Sequence, residues 1–231
     1  MKALQSIKNN IPNSITCLNL LSGCIACIYA FNSMTQYGEL MGYQISFIFI
    51  ALAAIFDFCD GLVARLLNSV SSIGKELDSL SDCVSFGLAP AMLIYATLEY
   101  YNPGALYNYA AFLIAVFGAL RLAKFNVDTT QTTVFKGMPI PANAIFWIGF
   151  INSCHEASST GYITFIWIVA LSYLMVCNIP MFSFKLKDFS FKNNWYRILL
   201  LVAVISFIAI FGITGFYYSI ATYFFISLFV K

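Results

Sequence analysis

The chain has 231 residues, 61% hydrophobic and only 10% charged, with a formal net charge of +2 and a mean hydropathy of +0.82. These values exclude a water-soluble globule, and a charge so near neutral gives no footprint for a nucleic-acid partner. In lipid every backbone polar group must be paired within its own segment, so long unbroken apolar runs predict helices rather than a barrel.

In chain order, residues 1–12 mix Lys2, Gln5, Lys8 and Asn9 with Leu4 and Ile7, which predicts a short amphipathic segment on the cytoplasmic face. Apolar stretches follow at 15–33, 44–67, 82–99, 105–123, 138–154, 161–182, 196–213 and 214–230. Each is close to the roughly 20 residues a span needs, so the predicted fold is an all-α integral membrane bundle of about eight transmembrane helices. The first apolar run is too long for a secretory signal and leads to no small-residue cleavage site, which predicts an uncleaved first helix. Gly212, Thr214 and Gly215 leave a minimal turn between the last two spans, and 184–196, with Lys185, Lys187, Asp188, Lys192 and Trp195, reads as an interfacial connection.

With eight spans and a cytoplasmic N-terminus, all of Lys2, Lys8, Arg65, Lys75, Arg121, Lys124, Lys136, Lys185, Lys187, Lys192, Arg197 and Lys231 fall on the inner side. The outer loops then carry Glu39, Glu99, His155 and Glu156, with His155 a solvated loop residue. Both termini are predicted to be cytoplasmic. Cys17, Cys24, Cys27, Cys59, Cys83, Cys154 and Cys177 are scattered over the spans and read as small packing residues, without a disulfide or thiolate metal site. Without a repeat or a long linker, residues 1–231 form one domain, with the chemistry in 1–145 and additional helices in 160–231.

The polar residues that stand out are Asp57 and Asp60, at the inner end of the second span, and Asp78 and Asp82, which open the third. Spacings of three and four residues place each pair on one helical face. Four carboxylates at membrane depth repel one another unless cations neutralise them, and an all-oxygen site suits Mg2+ or Mn2+. Two such ions a few ångströms apart can clamp the phosphates of a nucleotide-type substrate. Gly61 and Ala64 leave a notch on the same side, and Arg65 supplies a bidentate fork for phosphate. The plainer alternative, interface carboxylates paired with Arg65 and Lys75, suits one aspartate better than four at this spacing.

The string from Asp57 to Asp82 reads D-x2-D-G-x2-A-R-x8-G-x3-D-x3-D, and it resembles the signature of the CDP-alcohol phosphatidyltransferases. Three further strings resemble the members of that family that use serine as acceptor: Pro12 to Asn19, Asp78 to Pro90, and Arg121 to Asn126 together with Gly137 to Pro141. The resemblance implies transfer of a phosphatidyl group from CDP-diacylglycerol to the hydroxyl of L-serine, with release of CMP, by a homodimer whose cavity faces the cytoplasm. It implies two divalent cations, Mg2+ or Mn2+, held by Asp57, Asp60, Asp78 and Asp82, with Asp82 also the general base. Asn13, Thr16, Gly61, Arg65, Ser71 and Gly74 would line the CDP-diacylglycerol pocket.

For serine, Arg121 or Lys124 offers a cation to the carboxylate, and Ser85, Phe86 and Gly87 would shape the wall near Asp82. Arg121, Lys124 and Lys136 are read equally well as positive-inside anchors, and Pro139 and Pro141 as a bend at the start of the fifth span. A glycerol-phosphate or inositol-phosphate acceptor, a membrane prenyltransferase and a cation transporter are the remaining alternatives.

Overall fold

A computed structural model describes residues 2–128, 134–157, 161–182 and 191–229. It is mostly helical: α1 Lys2–Phe31, α2 Gly42–Leu66, α3 Ser72–Asp82, a π-helical segment Cys83–Leu88, α4 Ala89–Tyr101, a 3-10 turn Leu106–Phe112 leading into α5 Leu113–Val127, α6 Ile140–Ala157, α7 Tyr162–Val176, α8 Phe191–Phe211 and α9 Gly215–Phe229. Among the described residues five segments are long and apolar enough to cross a membrane, namely Asn10–Phe31, Gly42–Leu66, Ser72–Tyr101, Leu106–Val127 and Asn194–Phe229, and Tyr162–Val176 is a shorter apolar helix. The last of the five is two helices. Gly212, at φ 57°, opens a 3-10 turn, and α9 folds back so that Tyr218 meets Phe207 and Phe211 of α8.

Several boundaries differ from expectation. Residues 2–9 are not a separate segment but the first turns of α1, which runs through Pro12. The third span begins at Ser72, so α3, the π segment and α4 form one column and Asp78 and Asp82 lie inside it rather than at its start. The sixth stops at Val176. Beyond it Pro180–Phe182 forms strand β4, paired antiparallel with β3, Val134–Lys136, through the register Phe135 to Met181. A short hairpin, β1 Gln36–Tyr37 with β2 Leu40–Met41, joins α1 to α2. Lys185, Lys187 and Asp188 of the expected interfacial connection lie outside the described residues.

His155 is also corrected. It sits in the last turn of α6, half-buried, with its ring 4.3 Å from that of Tyr43 and its Nδ1 3.4 Å from the Tyr101 hydroxyl. An aromatic pair on α2 and α4 shelters it, which the lone histidine did not announce.

The apolar core lies among α4, α5, α6, α7 and α9, with Ile94, Ile114, Trp147, Ile151, Ile168 and Tyr223 buried. Phe31, Phe58, Leu120, Ile205 and Phe225 face outward, as helices solvated by lipid require. The buried side of α1 is small or polar: Thr16, Asn19, Ser22, Ala26 and Ala30 recur at helical spacing. Small side chains let helices approach closely, and α1 consequently packs against both α2 and α3. All seven cysteines are free.

Candidate active site

Between α2 and α3 the chain turns through Asn68, whose φ of 51° is the left-handed value a short polar side chain tolerates, and Ser71 restarts the helix by accepting the Gly74 N–H at 3.0 Å. The two helices make few contacts with each other, and α1 forms a floor beneath both. A cavity of about 340 Å³ opens between them. Pro12, Asn13 and Thr16 line it from α1, Asp60, Gly61, Ala64 and Arg65 from α2, Ser69, Val70 and Ser71 from the turn, and Gly74, Lys75 and Asp78 from α3.

Carboxylate oxygens of Asp57, Asp60 and Asp78 lie within 4.8 Å of one another. Asp82 is outside that group, one turn further along the column and only 8% exposed, within electrostatic reach of Asp57 and Asp78. Side chains of α1 orient both sets. The Thr16 hydroxyl donates to Asp60 Oδ2 at 2.6 Å, and Asn19 Nδ2 donates to Asp82 Oδ1 at 3.2 Å. Ser81 Oγ, which donates to the Leu77 carbonyl at 2.9 Å, also lies 3.2 Å from that of Thr16 and so sits at the α1–α3 contact.

Every residue expected at the CDP-diacylglycerol pocket, Asn13, Thr16, Gly61, Arg65, Ser71 and Gly74, lines this cavity. A Cβ added at Gly61 would meet no atom within 4 Å, so the notch is open space. One added at Gly74 would stand 3.0 Å from Asn13 Oδ1, so that glycine brings α3 against α1. Arg65 folds back to donate from Nε to the Gly61 carbonyl at 2.9 Å, which leaves the fork of its guanidinium at the cavity edge.

A second cavity, of about 330 Å³, lies at the C-terminal end of α5, lined by Arg121, Lys124, Phe125, Val127, Asp128, Lys136, Met175, Val176, Cys177 and Asn178. Arg121 is 8% exposed and lies within electrostatic reach of Asp82 and Tyr223, and its Nε has no hydrogen-bond partner among the described residues. Lys124 donates to the Val176 carbonyl at 3.3 Å, and Lys136 pairs with Asp128 at 3.0 Å. The cavity therefore presents charges of both signs.

Ser85, Phe86 and Gly87 are not brought to this cavity. All three lie in the π segment and are buried: Ser85 donates to the Asn19 carbonyl at 3.0 Å, Phe86 joins the apolar core, and a Cβ at Gly87 would lie 3.5 Å from Ala115 Cα. Their place is in packing the column behind Asp82. Sequence reasoning had missed Asn19, Lys75 and Asp128 as site residues. Asn19 had a readable signal, an amide three residues beyond Thr16 on the same helical face.

The sequence profile of the family described as CDP-alcohol phosphatidyltransferase matches residues 9–176. The chain is similar to CDP-diacylglycerol–serine O-phosphatidyltransferase of Bacillus subtilis, 36% identical over 178 residues that cover 75% of this chain and 92% of that protein. It is 34% identical over 187 residues to the protein of that name from Helicobacter pylori, covering 78% and 75%. With that from Methanocaldococcus jannaschii it shares 40% identity over 146 residues, covering 62% of each. The carboxylates that meet between α2 and α3 lie inside the matched region, and the chain belongs to the CDP-alcohol phosphatidyltransferase family.

Proposed function

We propose that this chain transfers the phosphatidyl group of CDP-diacylglycerol to the hydroxyl of L-serine and releases CMP. The observation that carries the reading is the three-carboxylate group of Asp57, Asp60 and Asp78 at a cavity lined by all six expected donor contacts. Serine enters the reading through the similarity to three serine O-phosphatidyltransferases and through a second cavity of mixed charge.

The residues fit hard divalent cations, because the donor set is all carboxylate and its oxygens converge from two helices. Asp57, Asp60, Asp78 and Asp82 would hold two Mg2+ or Mn2+ ions, which when bound neutralise the charge of the donor pyrophosphate. Around them, Thr16 holds Asp60 in place, Gly61 leaves room for the nucleotide, and Arg65 and the amide end of α3 at Ser71 and Gly74 face the phosphates.

Asp82 takes the proton of the serine hydroxyl as that oxygen attacks the lipid-bearing phosphorus, and the bond to CMP breaks with its electron pair leaving on CMP. Asn19 fixes the carboxylate's orientation for that transfer. Arg121 receives the serine carboxylate, while Asp128 makes the same cavity compatible with its ammonium.

CMP release by the purified chain in detergent tests the reading. Release must require both serine and divalent metal, and Asp82→Asn should lower the rate by about 10²–10⁴-fold, the range a positioned general base contributes. Serine-independent release at the full rate would overturn it. A phosphate-bearing acceptor is the second reading, since Arg121, Lys124 and Lys136 line one cavity. Asp128 opposes it by neutralising Lys136, and a panel of serine, glycerol phosphate and inositol phosphate decides between them.

The chain would act as a single domain of eight crossings, with both termini and the aspartates on the cytoplasmic side. Supporting this are the sequence pattern, in which eight crossings leave every Lys and Arg on one side, and the division of Asn194–Phe229 into two helices. The homodimer rests on the family resemblance, and crosslinking in native membranes tests it.

A further inference from the structure

The two cavities are built on different helices, the donor side on α2 and α3 and the acceptor side on the end of α5. Helices α3 and α5 pack little against each other. Their spacing nevertheless matters, because the acceptor oxygen and the donor phosphorus must be in line and within about 3–3.5 Å for reaction. The π segment that continues α3 packs on α5, and at the end of α5 a pair of hydrogen bonds on one residue ties it directly to α3. Lys75 Nζ donates to the Asn126 carbonyl at 2.9 Å, and Asn126 Nδ2 donates to Ser79 Oγ at 2.9 Å.

Lys75 and Ser79 are one helical turn apart on α3, so they grip the backbone and the side chain of Asn126 from one face. Each end of this link touches the machinery. Lys75 lines the donor cavity and Ser79 follows Asp78, while Phe125 and Val127, on either side of Asn126, line the acceptor cavity. An ordinary helix cap would explain the Lys75 bond alone, since the last carbonyls of α5 lack intrahelical partners. It does not explain the second bond, which runs from a side chain back to α3.

We propose that Asn126 is a positioning residue that clasps the donor helix to the acceptor helix and so aligns serine with the activated phosphorus. The proposal rests on the transferase reading above. It assigns a role to a residue that touches neither substrate, so removing its side chain should damage the transfer step without emptying either cavity.

The test is Asn126→Ala in the full chain, which leaves the backbone carbonyl for Lys75 and so preserves the end of α5. Steady-state CMP release should show kcat lowered by up to about 100-fold, the cost of misplacing reacting groups by an ångström. CDP binding, measured by calorimetry, should stay within about twofold of wild type. Ser79→Ala should reproduce much of the kcat loss, and the double variant should be no worse than Asn126→Ala, because both remove one bond.

A wild-type kcat in Asn126→Ala overturns the clasp. So does a loss of CDP affinity in step with kcat, which marks a general structural role, and so do additive losses in the double variant. Absence of serine-dependent CMP release from the wild type would instead sink the transferase reading itself.

Discussion

At the scale of single residues, the carboxylates depend on neighbours that have no charge. Thr16 donates a hydrogen bond to Asp60 at 2.6 Å, and without it the carboxylate loses both a partner and an orientation. Thr16→Val is expected to raise the metal concentration for half-maximal activity by about 10–100-fold, the usual cost of removing a group that orients a ligand, and a Mn2+ titration of CMP release checks it. Gly61 makes the opposite case. A Cβ there meets nothing in the protein, so Gly61→Ala should leave thermal stability unchanged or raise it by up to about 1 kcal/mol through helix propensity. If the notch receives the donor, the same substitution raises KM for CDP-diacylglycerol, and an unchanged KM removes Gly61 from the pocket.

At the scale of elements, the column from Ser72 to Tyr101 changes winding just after Asp82. The π segment Cys83–Leu88 turns Ser85 toward α1, where its hydroxyl reaches the Asn19 carbonyl, the backbone of the residue whose side chain holds Asp82. Gly23 lies where α1 crosses this segment. A Cβ there would abut Ser85 Oγ and stand 2.8 Å from Ser85 Cα, backbone that has no rotamer to yield. Gly23→Ala should therefore destabilise the protein by about 1–3 kcal/mol, an overpacking cost, visible as a lower melting temperature in detergent. It should lower kcat as well, through displacement of Asn19 from Asp82. A melting temperature equal to wild type would show that α1 and the π segment are further apart than the structure has them.

For the whole molecule, orientation is the decisive quantity. Asn68, in the turn between α2 and α3, and Gly104, after α4, lie at opposite ends of the Ser72–Tyr101 column and are both exposed. In a cysteine-free background, Asn68→Cys should react with a membrane-impermeant thiol reagent only from the cytoplasmic side and Gly104→Cys only from the other. Labelling of both from one side would remove the proposed topology, and labelling of Asn68→Cys from the other side would remove the cytoplasmic active site.

The helical membrane class was legible from the sequence because it follows from local quantities: apolar run length and the need to pair every backbone group inside lipid. The spacings within Asp57–Asp60 and Asp78–Asp82 were legible for the same reason, as helical periodicity alone puts each pair on one face. The tertiary structure decided which of the four meet. Gathering Asp57, Asp60 and Asp78 while seating Asp82 deeper beside Asn19 depends on how α2 and α3 rotate about α1, and no spacing along the chain encodes that rotation. The same holds for the shelter of His155 between Tyr43 and Tyr101, the β3–β4 pairing beside the second cavity, and the burial of Ser85, Phe86 and Gly87. Each is a contact between residues distant in sequence, whose partner is set by packing rather than by any local preference.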